Sequence, residues 1–305
     1  MIHDHDGVIT IDTYMHGFDG VTAVYYLPGP RPALIETGPA SSLEHTLKGL
    51  EEAGADRLDW IVVTHIHLDH AGAVGHLAKK YPEARIVVRQ EGAPHLADPS
   101  RLWASASRIY PDMEKLWGGM DPLSEDRIDA VSNDGPVADL GDGRTLDAVY
   151  SPGHANHHMA LLDAQRGDLY PGDALGVFLP EANVMRPATP PPEFSLEMTI
   201  ESVEKLRVLG ATRVLPTHFG PVPDPAGCFD EAIRRYTQWV EAAEGPLAEG
   251  KSIEEIAEVF KQKRFEWYPG LGADVIEKFE QTTSYDMNAM GIVRYLKKRG
   301  ATAAG

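Results

Sequence analysis

Cysteine is almost missing from this 305-residue chain, where Cys228 stands alone. A single thiol forms no internal disulfide, which fits a reducing compartment. Long apolar runs are missing too. No window approaches the roughly 18 unbroken apolar residues that a membrane helix needs, so no membrane partner is expected. The opening Met-Ile-His-Asp-His-Asp-Gly has neither a basic stretch nor an apolar one. The expectation is therefore a cytoplasmic protein without a signal peptide. Positive charge is scarce: 28 Lys and Arg stand against 46 Asp and Glu, a net charge of −18. Such a chain repels a phosphate backbone unless its basic residues cluster, and no basic run is present, so a nucleic-acid partner is not expected. Hydrophobic residues at 43% and charged residues at 24% are ordinary for a globular protein. The length allows one large domain or two smaller ones. Histidine is the exception to this ordinary composition, with 13 residues gathered mostly into short clusters.

The order of elements reads as β-rich, then mixed, then helical. Val8–Ile11, Val21–Leu27 and Ala33–Glu36 have strand composition and are separated by Gly/Pro turns. Ser41-Ser-Leu-Glu44 has the form of a capping box opening a helix that ends near Gly54. Leu58–Thr64 is a short apolar run, expected to be a buried strand, and Ala71–Tyr81 has helical spacing before Pro82. Arg85–Arg89 is a further strand. Residues 91–135 are less regular, with Trp103, Tyr110, Met113, Trp117 and Met120 among prolines at 94, 99, 111 and 122. They are expected to form a helical insertion, extending to about residue 145, whose aromatics make a small satellite core. Strands resume at Thr145–Tyr150, Met159–Asp163 and Asp168–Tyr170, followed by a Pro-rich loop over 179–194. A helix from Ser195 to Leu209 closed by Gly210 and a strand Arg213–Thr217 complete a first domain of residues 1–225. Residues 226–305 are expected to be a helical extension, with Ser252–Glu255 as a second capping box.

The strongest chemical signal is Thr64-His65-Ile66-His67-Leu68-Asp69-His70, placed where a strand ends and a helix begins. Alternate residues of an extended segment point the same way, so His65 and His67 can bind one metal together. Asp69 and His70 follow as the chain turns and can face a second metal. Imidazole and carboxylate ligands suit Zn²⁺ first, with Fe²⁺ and Mn²⁺ as alternatives. Three later residues would complete such a site: His154 in Ser-Pro-Gly-His, Asp173 in Tyr-Pro-Gly-Asp and His218 in Leu-Pro-Thr-His. Each follows an apolar strand with a turn residue nearby.

Through His-x-His-x-Asp-His and the ordered downstream His, Asp and His, the chain resembles the metallo-β-lactamase superfamily over about residues 8–222. The resemblance implies an α+β fold, a four-layered αββα sandwich carrying a dinuclear site on one edge. It implies that His65, His67 and His154 hold the first metal, that Asp69, His70 and His218 hold the second, and that Asp173 bridges them. Asp at 173, where other members carry Cys, is similar to the glyoxalase II and lactonase branches. The helical C-terminus and the Pro-Gly-His-Ala-x-His-His stretch look most like glyoxalase II-like hydrolases. The early turn reads Glu36-Thr-Gly-Pro where many members carry Asp, so Glu36 is expected to orient metal ligands and not to bind metal itself.

The chemistry implied is hydrolysis of a thioester, ester or lactone in a small molecule, by a water ionised between two cations. Asp69 and Asp173 are the catalytic carboxylates of this reading, with Asp69 helping to pass a proton to the leaving group. His157, His158, Tyr14, Phe178 and Arg186 are candidates for substrate contact. Cys228 has no Cys–His arrangement around it and reads as a packed residue. Ser151 precedes Pro152 and lacks a nucleophile elbow, which argues against serine-hydrolase chemistry. The alternative is a mononuclear iron oxidoreductase resembling the persulfide dioxygenases of the same superfamily. Exposed aromatics of the insertion would support a homodimer.

Overall fold

The structure is a computed structural model that describes residues 2–108 and 112–303. Tyr110 and Pro111 of the insertion lie outside the described residues. The chain forms two compact units, one of Met1–Tyr150 with His157–Tyr170, the other of Ser151–Asn156 with Pro171–Gly305.

The first unit is built on a seven-stranded sheet. Its strands are β1 (Ile2–Asp4), β2 (Ile9–Asp12), β3 (Ala23–Leu27), β4 (Ala33–Ile35), β5 (Trp60–Val62), β6 (Arg85–Arg89) and β7 (Ile128–Val131), side by side in chain order. The first four pair antiparallel, and β4 to β7 run parallel. Short turns join β1 to β2 and β3 to β4, and a longer loop carrying a 3-10 turn, Met15–Gly17, joins β2 to β3. The three parallel pairs need crossovers: the helix Leu43–Glu52 lies between β4 and β5, Val74–Lys80 between β5 and β6, and the short helices of the insertion between β6 and β7. Leu50 and Leu77 from these helices pack on Ile11, Leu34, Ile61 and Ile86, which points one sheet face into an apolar layer. The approach is close: a Cβ on Gly49 would stand 2.2 Å from Ile11, so only glycine lets the helix settle there. Every residue of β3 is buried because its other face is covered as well. That cover is the antiparallel run β8 (Gly135–Gly141), β9 (Arg144–Tyr150), β10 (Met159–Asp163) and β11 (Asp168–Tyr170). Tyr25 of β3 meets Tyr170 of β11 across the interface, with ring centroids 5.3 Å apart.

The insertion is helical only in part. Short helices occupy Ala93–Ala97, Ser100–Ala106 and Met113–Trp117, but β7 and β8 also fall within 91–145. Trp103, Met113, Trp117 and Met120 pack with Met15, Val21 and Leu68, so these side chains do form a satellite core. The first capping box does not form. A 3-10 turn, Ala40–Ser42, precedes the helix, and Ser41 Oγ donates instead to the Leu116 carbonyl at 2.7 Å.

In the second unit the expected loop over 179–194 contains a strand, β13 (Val184–Arg186), paired with β12 (Val177–Leu179). The strand expected at 213–217 shortens to β14 (Arg213–Val214). Helices Leu196–Arg207, Cys228–Ala248, Ile253–Trp267, Ala273–Thr282 and Tyr285–Ala303 follow the expected pattern. The second capping box is complete: Glu255 N–H donates to Ser252 Oγ at 3.2 Å and Ser252 N–H to Glu255 Oε2 at 2.8 Å. Trp239, Phe260, Tyr285 and Ile292 centre the apolar core of this helical extension. Among the described residues, no helix is long and apolar enough to cross a membrane.

Candidate metal centre

The first ligand group grows from the end of β5. Beyond Val62 the chain leaves the strand, bends at Thr64 and, from an extended His67, turns into a one-turn helix, Leu68–Ala71. This carries His65, His67, Asp69 and His70 past the sheet edge on adjoining backbone. His65 and His70 are fully buried, and their ring centroids lie 3.9 Å apart. His65 Nε2 faces His67 Nδ1 at 2.9 Å, and Asp69 Oδ2 lies 3.8 Å from His70 Nε2.

Glu36 organises this group from below. It ends β4 with a φ of 63°, a left-handed conformation that costs a non-glycine residue energy and is met mainly where function demands it. Its buried carboxylate accepts from Thr64 N–H at 3.2 Å, from Thr64 Oγ–H at 2.5 Å and from His70 Nδ1 at 3.0 Å. Thr64 Oγ, having given its proton to Glu36, accepts from His65 Nδ1 at 3.0 Å. One carboxylate thus sets the tautomer of two imidazoles, directly for His70 and through a hydroxyl for His65. Both present Nε2 as the electron-pair donor. A carboxylate oxygen of Glu36 and one ring nitrogen each of His65 and His70 lie within 4.8 Å of one another.

His157 and His158 reach the same cluster through β10. Met159 N–H donates to the Thr64 carbonyl at 2.9 Å, which ties the start of β10 to the metal motif. The His158 ring is buried 5.0 Å from that of His65, and the His157 ring stands 5.5 Å from that of His67. The two candidate substrate-contact histidines therefore lie beside the first ligand group.

The second unit gathers His154, Asp173 and His218. Gly153, at a φ of 129°, lets the chain pass so close to the helix Leu196–Arg207 that a Cβ would stand 2.5 Å from Thr199 N. His154 Nδ1 donates to the Ala188 carbonyl at 3.0 Å, which again turns Nε2 into the donor atom. The Asp173 carboxylate sits between two imidazoles, with Oδ2 3.5 Å from His154 Nε2 and Oδ1 3.5 Å from His218 Nε2. All three side chains are buried. Buried imidazole nitrogens set against carboxylate oxygens, with the His154 ring held through its Nδ1, are the donor set that a divalent cation of the zinc or iron type requires. The residues present fit such an ion in both groups.

The Tyr14 ring lies tilted against that of His45, centroids 5.0 Å apart, and shares a surface cavity of about 190 Å³ with His45, Lys48, Gly49 and Glu52. Phe178 is buried in β12. Arg186, at the end of β13, is fully buried against the helical extension, 2.6 Å from Glu280 and 3.9 Å over the Tyr285 ring. A guanidinium is weakly hydrated and stacks on aromatic faces, which is why this cation can be enclosed. Cys228 is packed at a helix start, and burial pushes its thiol up to about 12. At pH 8 only about one thiol in 10⁴ is then thiolate, the reactive form. Native protein should resist a disulfide reagent at pH 8 and react with one thiol per chain once unfolded; rapid labelling of the native form would contradict this packing.

A family model described as the metallo-beta-lactamase superfamily matches residues 16–218, about two thirds of the chain. The chain belongs to the metallo-β-lactamase superfamily. The metallo-beta-lactamase fold-containing protein ST1585 of Sulfurisphaera tokodaii is 30% identical over 193 residues, 62% of this chain and 69% of that one. The crystal structure of ST1585 superposes with a TM-score of 0.71 at 24% identity, covering 95% of this chain and 99% of the other. This supports the mixed α+β superfamily fold with its helical C-terminal extension. An atrochrysone carboxyl ACP thioesterase of Aspergillus aculeatus is 26% identical over 211 residues, 66% of this chain and 54% of that one. An N-acyl homoserine lactonase, AttM of Rhizobium radiobacter, is 30% identical over 118 residues, 37% of this chain and 39% of that one. The match thus spans about half the thioesterase and less of the lactonase. The matched span contains His65, His67, Asp69, His70, His154 and Asp173 and ends at His218.

Thr64, Ala188 and the partners of its carbonyl went unrecognised in the sequence. Thr64 could have been found from its place directly before His65. A backbone carbonyl carries no sequence signal.

Proposed function

We propose that this chain is a metal-dependent hydrolase of a small-molecule thioester, ester or lactone, of the glyoxalase II-like kind, with both ligand groups serving one centre of two divalent ions. Zinc is the ion favoured by the donor set. In this reading His65, His67 and His154 would hold one ion, Asp69, His70 and His218 would hold the other, and Asp173 would serve both. The observation that carries it is the Glu36 network. A buried carboxylate that fixes the tautomers of two neighbouring histidines is an arrangement suited to metal ligands and costly for anything else.

Bound there, the cations supply Lewis acidity towards a carbonyl oxygen and bring the pKa of a water towards neutrality. The protein does the rest. Glu36, Thr64 and Ala188 hold the imidazole rings in one orientation. Asp173 places negative charge between His154 and His218, which offsets the charge of the ions. The Asp69 carboxylate, more open than its neighbours at 13% exposure, can take a proton at Oδ and return it to a leaving alkoxide or thiolate. His157 and His158, with rings 5.5 Å from that of His67 and 5.0 Å from that of His65, are the candidates to orient a substrate carbonyl. The net charge of −18 disfavours phosphodiesters. Relatives named as a thioesterase and a lactonase support an acyl substrate.

The test is a panel of acyl thioesters, N-acyl lactones and aryl esters offered to the protein before and after chelation. Turnover of at least one class should vanish with chelator and return with zinc. Oxygen uptake with a persulfide, and no hydrolysis of any class, would replace this reading with the mononuclear iron oxidoreductase.

A further inference from the structure

The segment that orients His154 is gripped by the C-terminal helices one residue at a time. Arg186 pairs with Glu280 at 2.6 Å. The Pro187 carbonyl accepts from Thr283 Oγ. Ala188 N–H donates to Tyr236 Oη at 3.4 Å, and Tyr236 O–H is shared between the carbonyls of Ala188 at 3.4 Å and Asp173 at 3.3 Å. Thr189 N–H and Oγ–H both donate to Asn288 Oδ1, at 2.9 and 2.7 Å. Asn288 Nδ2 in turn donates to Thr283 Oγ at 2.7 Å and to the Ser284 carbonyl at 3.0 Å. The helix Tyr285–Ala303 comes so near that a Cβ on Gly291 would stand 1.7 Å from the Thr189 carbonyl. Arg186, Thr189 and Asn288 are fully buried, and Ala188 and Tyr236 are 1% exposed.

Apolar packing alone would hold these helices against the segment. The cost of burying so many polar groups is met only by a defined geometry. That geometry fixes the two backbone carbonyls next to the second ligand group: Ala188, which sets the His154 tautomer, and Asp173, whose side chain lies between the histidines. We propose that Asn288 and Tyr236 are positioning residues for metal binding, and that the helical extension tunes ion affinity through the backbone of residues 187–189. This rests on the metal-dependent reading above. Neither residue touches an ion or a substrate. Asn288 acts through Thr189 and Ala188 on His154, and Tyr236 acts on the same carbonyl and on that of Asp173.

The experiment uses the full chain with Asn288→Ala, Tyr236→Phe and, as a packing control on the same helix as Asn288, Val293→Ala. Zinc affinity is measured by competition with a chromophoric chelator, the cobalt(II) absorption spectrum is recorded, and the thermal midpoint is taken without metal. Asn288→Ala and Tyr236→Phe should weaken zinc binding by about 10-fold or more and alter the cobalt spectrum, as loss of ligand-orienting partners does. Val293→Ala should lower the midpoint and leave affinity within about twofold of the unaltered protein, since it removes apolar contact only. If Asn288→Ala does not fold, Tyr236→Phe, which removes one oxygen atom, decides the matter. Unaltered zinc affinity and spectrum in the variants would overturn this inference while leaving the metal centre standing. No zinc binding by the unaltered protein would overturn both.

Discussion

Asp69→Ala is expected to lower kcat by about 10³-fold while the protein stays folded, within the range that proton-transfer groups contribute. The reason lies in where Asp69 sits. It opens a one-turn helix, partly exposed, with Oδ2 3.8 Å from His70 Nε2. Its side chain lies outside the apolar layer made by Ile66, Ala71 and Val74. Truncation therefore removes a carboxylate from the reacting region and little packing. Asp69→Asn sharpens the result. The amide keeps the shape and one oxygen but takes up no proton, so it should retain metal better than alanine does and turn over no faster. The checks are steady-state kinetics on whichever acyl substrate the panel identifies, with circular dichroism to confirm the fold. Turnover equal to that of the unaltered enzyme would remove Asp69 from the chemistry.

Glu36→Ala should be the more damaging change, because it strikes fold and site together. Three donors lose one acceptor: Thr64 N–H, Thr64 Oγ–H and His70 Nδ1–H. Leaving buried donors unmet costs about 1–3 kcal/mol per group, and several at once should cost about 3–5 kcal/mol in total, as water repairs part of the loss. For a chain of this size that corresponds to a fall of about 10 °C in the thermal midpoint. His65 and His70 would also lose their fixed tautomers, and zinc affinity should fall about 100-fold. The conservative variants separate the two effects. Glu36→Gln presents an amide N–H to groups that are themselves donors, so it should remain poor in both respects. Glu36→Asp keeps the charge, and its shorter side chain tolerates the left-handed backbone at a φ of 63° better than glutamate does. It should recover more zinc affinity than glutamine. Calorimetry and chelator competition read the two quantities separately. Equal zinc affinity in Glu36→Gln and the unaltered protein would show that the carboxylate does not orient the ligands.

The ligand motif was legible because its information is local. His65, His67, Asp69 and His70 occupy six consecutive residues at a strand-to-helix junction, and the strand and helix signals on either side place that junction unaided. The role of Glu36 was legible from its position in the turn after β4, although its reach through Thr64 to His65 was not. The elements that escaped are short and lie where sequence patterning is weak. β1 is three residues with an exposed, polar outer half. β8 begins Gly-Pro and alternates with small residues, so it read as part of the insertion. β13 is three residues among prolines, and the aromatic enclosure of its Arg186, named from the sequence as a candidate for substrate contact, carries no local signal. The Ser41–Glu44 pattern failed as a cap because Leu116, 75 residues on in sequence, offered Ser41 a better acceptor. Tyr236 and Asn288 were invisible for the same reason. Each acts on a backbone group far along the chain, and nothing in a helical pattern distinguishes a polar residue that does so from one that is merely buried.

Metal content decides the central claim. The full chain should be stripped with chelator, exposed to excess zinc, passed through a desalting column and subjected to elemental analysis with protein quantified in parallel. Two zinc ions per chain are expected, falling to one or fewer in His65→Ala and His70→Ala. A chain that emerges with no ion, or that retains the same content after either histidine is lost, would contradict the account.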